Sequence, residues 1–479
     1  MIPRRALERF APLALLLLAL SALAIAPIGY VGGGADDTNY LEASRCWVAA
    51  GHPCLPHSHW ATRWPAILPT ALFTGLFGES RLTVGLGPLC AWAACVVLLA
   101  ALGRAWFDRS TGYLAAALLA ATPGVTQVAL QPGTDVTELA FQLAALLLAT
   151  VGYKRQSAAL SVAAGAAAAL ASQARDTSIL FCGAAALAWL LLDRERRKVL
   201  LWSIAGFVAV VVIELATYAA ATGDPFYRYG LALAHVTVPS AELSPSVDTR
   251  QSPLFNPAYI AGWRREAGIT LWWPLDPWLN LLWSPRIGLL LAGSALGMAF
   301  GWPNLPPAWK RTVSRAIGFA LMIAIGLVYA LAVDPKPRMF FALVGAGALG
   351  LAAVTVASSR TGQGLVPACI AALLIAGGLF ALSRIPDTHE LERRASGWIA
   401  AYPGAIEVDA RTRNILTLLP EARALPAAGA GRPLRLQATT GRCEAFGVPV
   451  VESAGTPATG ELCLLRLNPA AGVPKSRRP

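Results

Sequence analysis

The chain has 479 residues, 56% of them hydrophobic and only 14% charged, with a mean hydropathy of +0.54. Soluble domains carry about a quarter charged residues, so the composition excludes an ordinary water-soluble globule; apolar runs recur at bilayer-crossing length instead. The net charge of +12 does not point to nucleic acid: basic residues sit between apolar runs, not in a stripe interleaved with aromatics, and read as topology signals and contacts for anionic head groups.

Arg4, Arg5 and Arg9 precede the first run, Ala11 to Val31, which predicts an uncut first helix with a cytoplasmic N-terminus. Ala22-Leu23-Ala24 and Ala24-Ile25-Ala26 resemble cleavage sites, so a removed leader is the competing reading. A polar stretch follows, Gly33 to Arg81, holding Asp36, Asp37, Tyr40, His57, His59 and Arg63. Within it Trp64 to Gly78 is apolar but short and carries Pro65 and Pro69, which suits a juxtamembrane helix better than a crossing.

Further crossings are expected at Leu82 to Gly103, Thr111 to Leu130, Val136 to Gly152, Ser157 to Ala174, Thr177 to Leu192 and Val199 to Ala221. Four more fall at Ser284 to Trp302, Arg315 to Val333, Met339 to Ala357 and Leu365 to Leu382. With the first helix that makes about eleven. Cytoplasmic turns then hold Arg104, Arg109, Lys154, Arg155, Arg194, Arg196, Arg197, Lys198, Lys310, Arg311 and Arg360, which obeys the positive-inside bias.

The opposite face receives Asp36, Asp37, Arg63, Arg81, Asp135, Glu138, Arg175, Asp176, Asp224, Arg228, Lys336 and Arg338. Ionisable groups kept beside hydrocarbon are costly, so their convergence marks a candidate site; taken singly, each also reads as a boundary residue snorkelling into head groups. The long outer loop, Thr222 to Trp283, carries Trp263, Trp272, Trp273, Trp278 and Trp283. They read as an interfacial belt or as the lining of a lipid or sugar groove.

After Leu382 the composition becomes polar. Helices are expected at His389 to Ala401 and Thr412 to Leu419, and strands at Ala405 to Val408, Leu434 to Ala438, Phe446 to Val451 and Glu461 to Leu467, with a disordered end from Ala470. The fold class is thus an all-α polytopic membrane domain, residues 1–382 with outer loops 32–81 and 222–283. A small C-terminal α/β extracytoplasmic domain, residues 383–479, completes it. Cys90, Cys95, Cys182 and Cys369 lie in spans and read as packing thiols. Cys46 with Cys54, and Cys443 with Cys463, form even pairs in outer regions, able to close disulfides in an oxidising compartment.

The order of these pieces resembles the GT-C class of lipid-carrier-dependent glycosyltransferases, in particular the protein O-mannosyltransferase superfamily with its aminoarabinose and rhizobial galacturonosyl transferases. Asp36-Asp37-Thr-Asn-Tyr40 is similar to that family's Asp-Glu-x-x-Tyr, with Asp37 in place of Glu. The stretch from His59 through Arg63-Trp-Pro65 to Leu76-Phe77-Gly78, then Arg81, resembles its basic-Pro-Leu-Phe-Gly segment. Thr134-Asp135 looks like the second acidic site and Arg175-Asp-Thr177 an Arg-x-Thr turn. Pro337-Arg338-Met339 resembles Pro-Arg-Tyr, departing at Met339. The likeness spans Ala11 to about Val356 and leaves out the tail.

The resemblance implies a bacterial inner-membrane enzyme, C-terminal domain periplasmic, that moves a sugar from a polyprenyl-phosphate donor to an extracytoplasmic lipid, glycan or protein, inverting the anomeric centre. Asp36 would act as the base toward the acceptor hydroxyl. Asp37 would reach the sugar or a divalent ion, Mg or Mn, or else cap its helix; His57 and His59 alone are weak metal ligands. Arg63 and Arg338, with Arg81, Arg175 or Lys336, would stabilise the departing phosphate. His59, Tyr40 and Asp135 would contact the substrates. A transporter or flippase is the rival class, though no repeated halves are evident; a non-catalytic lipid- or glycan-binding scaffold is a third.

Overall fold

The structure, a computed structural model, describes residues 4–25, 36–51, 54, 59–190, 194–237, 275–330, 337–383, 389–439, 443–456 and 460–467. His57, Lys336, Trp263, Trp272, Trp273 and the chain end expected to be disordered lie outside the described residues.

The helices in chain order are α1 Arg4–Ile25, α2 Asp36–Ala50, α3 Trp64–Phe77, α4 Arg81–Trp106, α5 Arg109–Ala120, α6 Pro123–Val128, α7 Asp135–Arg155, α8 Ala158–Ala174, α9 Ile179–Leu190, α10 Arg194–Thr222 and α11 Tyr227–Thr237. After them come α12 Asp276–Trp283, α13 Gly288–Gly301, α14 Pro307–Ile325, α15 Phe341–Arg360, α16 Leu365–Leu382 and α17 His389–Ala401. Local chemistry sets several ends. Ser80 and Thr83 exchange a capping box that starts α4, Asp108 accepts from the Thr111 N–H at 2.8 Å to start α5, and left-handed Gln156 (φ 50°) stops α7.

α15 is the bundle's centre, with 78% of its most apolar window buried, whereas the window in α10 is 17% buried and leaves Leu201, Val208 and Ile213 exposed. Such an apolar outward face needs hydrocarbon rather than water around it. α8 and α10 meet backbone to backbone: a Cβ on Gly165 would lie 1.7 Å from the Ser203 carbonyl oxygen, and one on Gly206 2.0 Å from that of Val162. Without a hydrophobic drive between helices in lipid, such close approach supplies the packing.

Six helices among the described residues are long and apolar enough to cross a bilayer, seven if the bent pair Pro277–Trp283 and Gly288–Asn304 is one span. Shorter apolar helices occupy Ala11–Ala24, Trp64–Phe77 and Ala158–Ala174. This differs from the expected eleven because several apolar runs are broken. Thr111 to Leu130 divides at Pro123, which has no N–H to continue the ladder, and a 3₁₀ turn, Asp176–Ser178, shortens the next run to α9.

The tail holds strands β1 Ile406–Val408, β2 Leu434–Thr439, β3 Val450–Thr456 and β4 Gly460–Arg466 in the order β1-β2-β4-β3, parallel only between β1 and β2. Its own core gathers Trp398 of α17 with Ile406, Leu434, Leu436, Leu462 and Leu464. Phe446 lies in a 3₁₀ turn, Cys443–Phe446, so the third strand begins four residues later than expected, at Val450. Disulfides join Cys46 to Cys54 and Cys443 to Cys463. Glu407 is fully buried beside Arg435 (2.6 Å) and accepts the Gly429 N–H at 3.1 Å, which pins the loop ahead of β2.

Candidate active site

α4, α7 and α15 each carry charge at both ends, and the ends segregate. At one end Lys154 donates to the Ala105 carbonyl, Arg360 pairs with Asp108, and the Arg360 guanidinium lies 5.2 Å from the centre of the Trp309 ring. At the other, about 30 Å along a helix of this length, lie Asp135, Arg175, Arg338 and the start of α2.

Asp36 opens α2, where the positive end of the helix dipole favours a carboxylate. Its Oδ2 is paired with Arg338 and its Oδ1 accepts from Trp60 Nε1 at 3.2 Å. The second nitrogen of Arg338 reaches Asp135 at 4.0 Å, and Asp135 is paired in turn with Arg175. Arg175 also lies 3.9 Å from Glu138, which accepts from Ser178 (2.5 Å) and Gln142 (3.2 Å). The acids differ in access: the Asp36 side chain is 34% exposed and that of Asp135 6%, so Asp36 is the one an outside molecule can meet.

Arg63, the residue before α3, donates to the Tyr40 hydroxyl at 2.5 Å and lies 3.5 Å from Asp176. Burial works against the Arg63 charge, but Tyr40, Asp176 and Asp36 outweigh it and hold its pKa above the ordinary value. Tyr40 is pushed up by burial, which Arg63 only partly offsets. Burial raises Asp176 less than Arg228 and Arg63 lower it, so its carboxyl stays below the usual range. Arg228 completes the chain, bound to Asp176 at 2.6 Å, Glu214 at 2.7 Å and the Ser172 carbonyl at 2.6 Å.

The structure therefore brings Asp36, Tyr40, Arg63, Asp135, Arg175 and Arg338 into one network. Buried Asp37 accepts the Thr38 N–H at 3.0 Å, and the buried His59 ring lies 3.8 Å from that of Trp60, tilted by 43°. Arg81 is placed elsewhere, paired at 2.5 Å with Glu392 of the tail. Sequence reading misses Trp60 and Glu214; the latter has a clear signal, an acid inside an apolar run.

Nε of Arg63 and Nε of Arg338 are buried without a hydrogen-bond partner among the described residues. Orphaned charged donors of this kind are expensive unless an acceptor arrives. A cavity of about 320 Å³ opens between α7, α8, α9 and α10, lined by Leu146, Ala168, Ile179, Phe181, Cys182 and Phe207. Among the described residues no three His, Cys, Asp or Glu gather as a metal site.

Residues 64–219 match the family described as dolichyl-phosphate-mannose-protein mannosyltransferase. The fold is that of the GT-C glycosyltransferases. It is shared with the oligosaccharyltransferase of Archaeoglobus fulgidus. In complex with an inhibitory peptide and a dolichol-phosphate, that structure has 13% identity, a TM-score of 0.54, and coverage of 88% of this chain and 61% of that one. With Zn and sulfate it gives 14%, 0.54, 87% and 62%. The chain thus spans about three fifths of that protein's length. A looser likeness, TM-score 0.48, links it to ArnT from Cupriavidus metallidurans bound to undecaprenyl phosphate, at 16% identity over 96% of this chain and 98% of that one. No curated protein matches the sequence.

Proposed function

We propose that this chain is an inverting glycosyltransferase of a bacterial inner membrane, taking a sugar from a polyprenyl-phosphate donor to an acceptor outside the cytoplasm. One observation carries the reading: the solvent-reachable carboxylate of Asp36 is fixed by Arg338 and Trp60 at the end of the bundle where Arg63 and Arg175 also gather. Arginine guanidinium groups are suited to holding a phosphate, and the apolar cavity suits a hydrocarbon chain. The dolichol-phosphate held by the archaeal enzyme of the same fold supports this donor class.

In the reaction the acceptor oxygen attacks the anomeric carbon as the bond from that carbon to the phosphate oxygen breaks. The electron pair of that bond leaves on polyprenyl phosphate, whose growing charge the arginines stabilise in a site poor in water. The hydroxyl proton passes to a carboxylate oxygen of Asp36, which Arg338 and Trp60 hold in place. General-base help of this kind is worth about 10²- to 10⁴-fold. Asp135, buried and paired with Arg175, helps hold Arg338 beside Asp36. Guanidinium groups already balance Asp36 and Asp135, an arrangement that fits a divalent cation poorly, so no step passes through one.

Asp36→Asn is the test. Mass spectra of envelope glycolipids and glycans should lose the modified species at normal protein abundance; an unchanged spectrum would refute the reading.

A further inference from the structure

α2 lies outside the bundle core, packed on α3 and the His59–Thr62 turn, so its neighbours decide where its first residue points. Arg45, about two and a half turns after Asp36, spends every donor it has. Nε and Nη2 reach the two oxygens of Glu79, each at 2.7 Å. Nη1 meets Glu42 and the Thr417 hydroxyl, the latter at 2.9 Å, and Nη2 meets the Thr417 carbonyl at 2.9 Å. Thr417 belongs to the C-terminal domain. Glu79 also faces Arg423 of that domain at 3.6 Å. Leu418 packs on Leu41 and Val84, both fully buried, and Arg81 at the head of α4 holds Glu392 at 2.5 Å.

We propose that the C-terminal domain is a brace for α2, and that Arg45, with the Arg81–Glu392 pair, positions Asp36 from outside the site; this rests on the reading of Asp36 as base. A 15-residue helix is stiff, so a rotation or slide released at Arg45 reaches Asp36. A displacement of about 1 Å at a reacting group costs on the order of 10²-fold in rate. A planar, five-donor guanidinium can hold Glu79 and Thr417 together, and a lysine ammonium cannot. Arg63 and Arg338 touch α2 through Tyr40 and Asp36 but are also held outside it by Asp176 and Asp135, so the brace governs turnover more than donor binding.

The experiment uses the full chain as Arg45→Lys, Glu392→Arg and the charge swap Arg81→Glu with Glu392→Arg, beside Asp36→Asn. The readouts are modified glycolipid per molecule of protein and binding of undecaprenyl phosphate to the detergent-solubilised protein. Arg45→Lys and Glu392→Arg should lower transfer at least tenfold with undecaprenyl phosphate binding unchanged, and the swap should restore most of the loss. Wild-type transfer in both single variants, or a loss matched by lost binding, overturns the inference while the Asp36 reading stands. Retained transfer in Asp36→Asn overturns that reading and this one with it.

Discussion

Arg338 forms an ion pair with Asp36 across 302 residues of chain and, through its other terminal nitrogen, lies 4.0 Å from Asp135. One guanidinium thus ties the first outer segment to the head of α7 and the head of α15.

Removing that guanidinium should act through the same step as removing Asp36. Arg338→Met is expected to lower transfer about 10²- to 10³-fold, the loss typical of a single charge-stabilising donor. Asp36→Asn with Arg338→Met should be scarcely worse than the poorer single variant, because residues acting as a unit are not additive. Transfer rates at matched abundance for the two singles and the double check this; independent, multiplying losses would contradict it.

Sidedness has a direct check. Asp224 is exposed near the site end of the bundle and Arg360 lies at the basic end. In intact spheroplasts a membrane-impermeant maleimide should label Asp224→Cys and spare Arg360→Cys until the membrane is opened. The reverse pattern would invert the orientation deduced from the basic turns.

Glu214 and Arg228 are 5% and 3% exposed and depend on each other. Glu214→Met should lower stability by about 3–5 kcal/mol, the usual cost of orphaning one member of a buried pair. Adding Arg228→Met should recover part of that loss. Thermal unfolding of the solubilised protein reports both, and a single variant as stable as wild type would show the pair to be dispensable.

The tail offers a pH test. Burial pushes the Glu407 carboxyl up, but hydrogen bonds from Arg435, Gly429 and Arg432 outweigh it, so its folded pKa lies below the ordinary carboxylate value. A depressed pKa stabilises above the unfolded value, about 4.3, and that contribution disappears as pH falls through the folded one. Glu407→Gln should therefore loosen the tail by about 1–3 kcal/mol at pH 7, with the gap from wild type closing toward pH 3. Proteolytic susceptibility of the tail in the full chain across that range measures it.

Much of the site was legible because charge at the edge of an apolar run is conspicuous: Asp36, Arg63, Asp135, Arg175 and Arg338 each stand at such an edge. Pairing was not. Arg81 bears the same local signature, yet its partner, Glu392, is 311 residues away in the tail, and periodicity carries no information at that range. Reading Val199 to Ala221 as uniformly apolar likewise passes over Glu214, whose partner arrives only with α11. Span counting passed over the breaks at Pro123 and at the Asp176–Ser178 turn, since hydropathy averages across a break that backbone hydrogen bonding does not bridge.

The pairing of Asp36 with Arg338 also dates the site within the life of each molecule. During synthesis the carboxylate of the first outer segment emerges early, and its counter-ion follows only after two thirds of the chain has been translated. Until then the nascent protein holds that acid without the guanidinium that ties it to α7, so a stalled or prematurely terminated copy ending before Arg338 lacks the central pair of the candidate site.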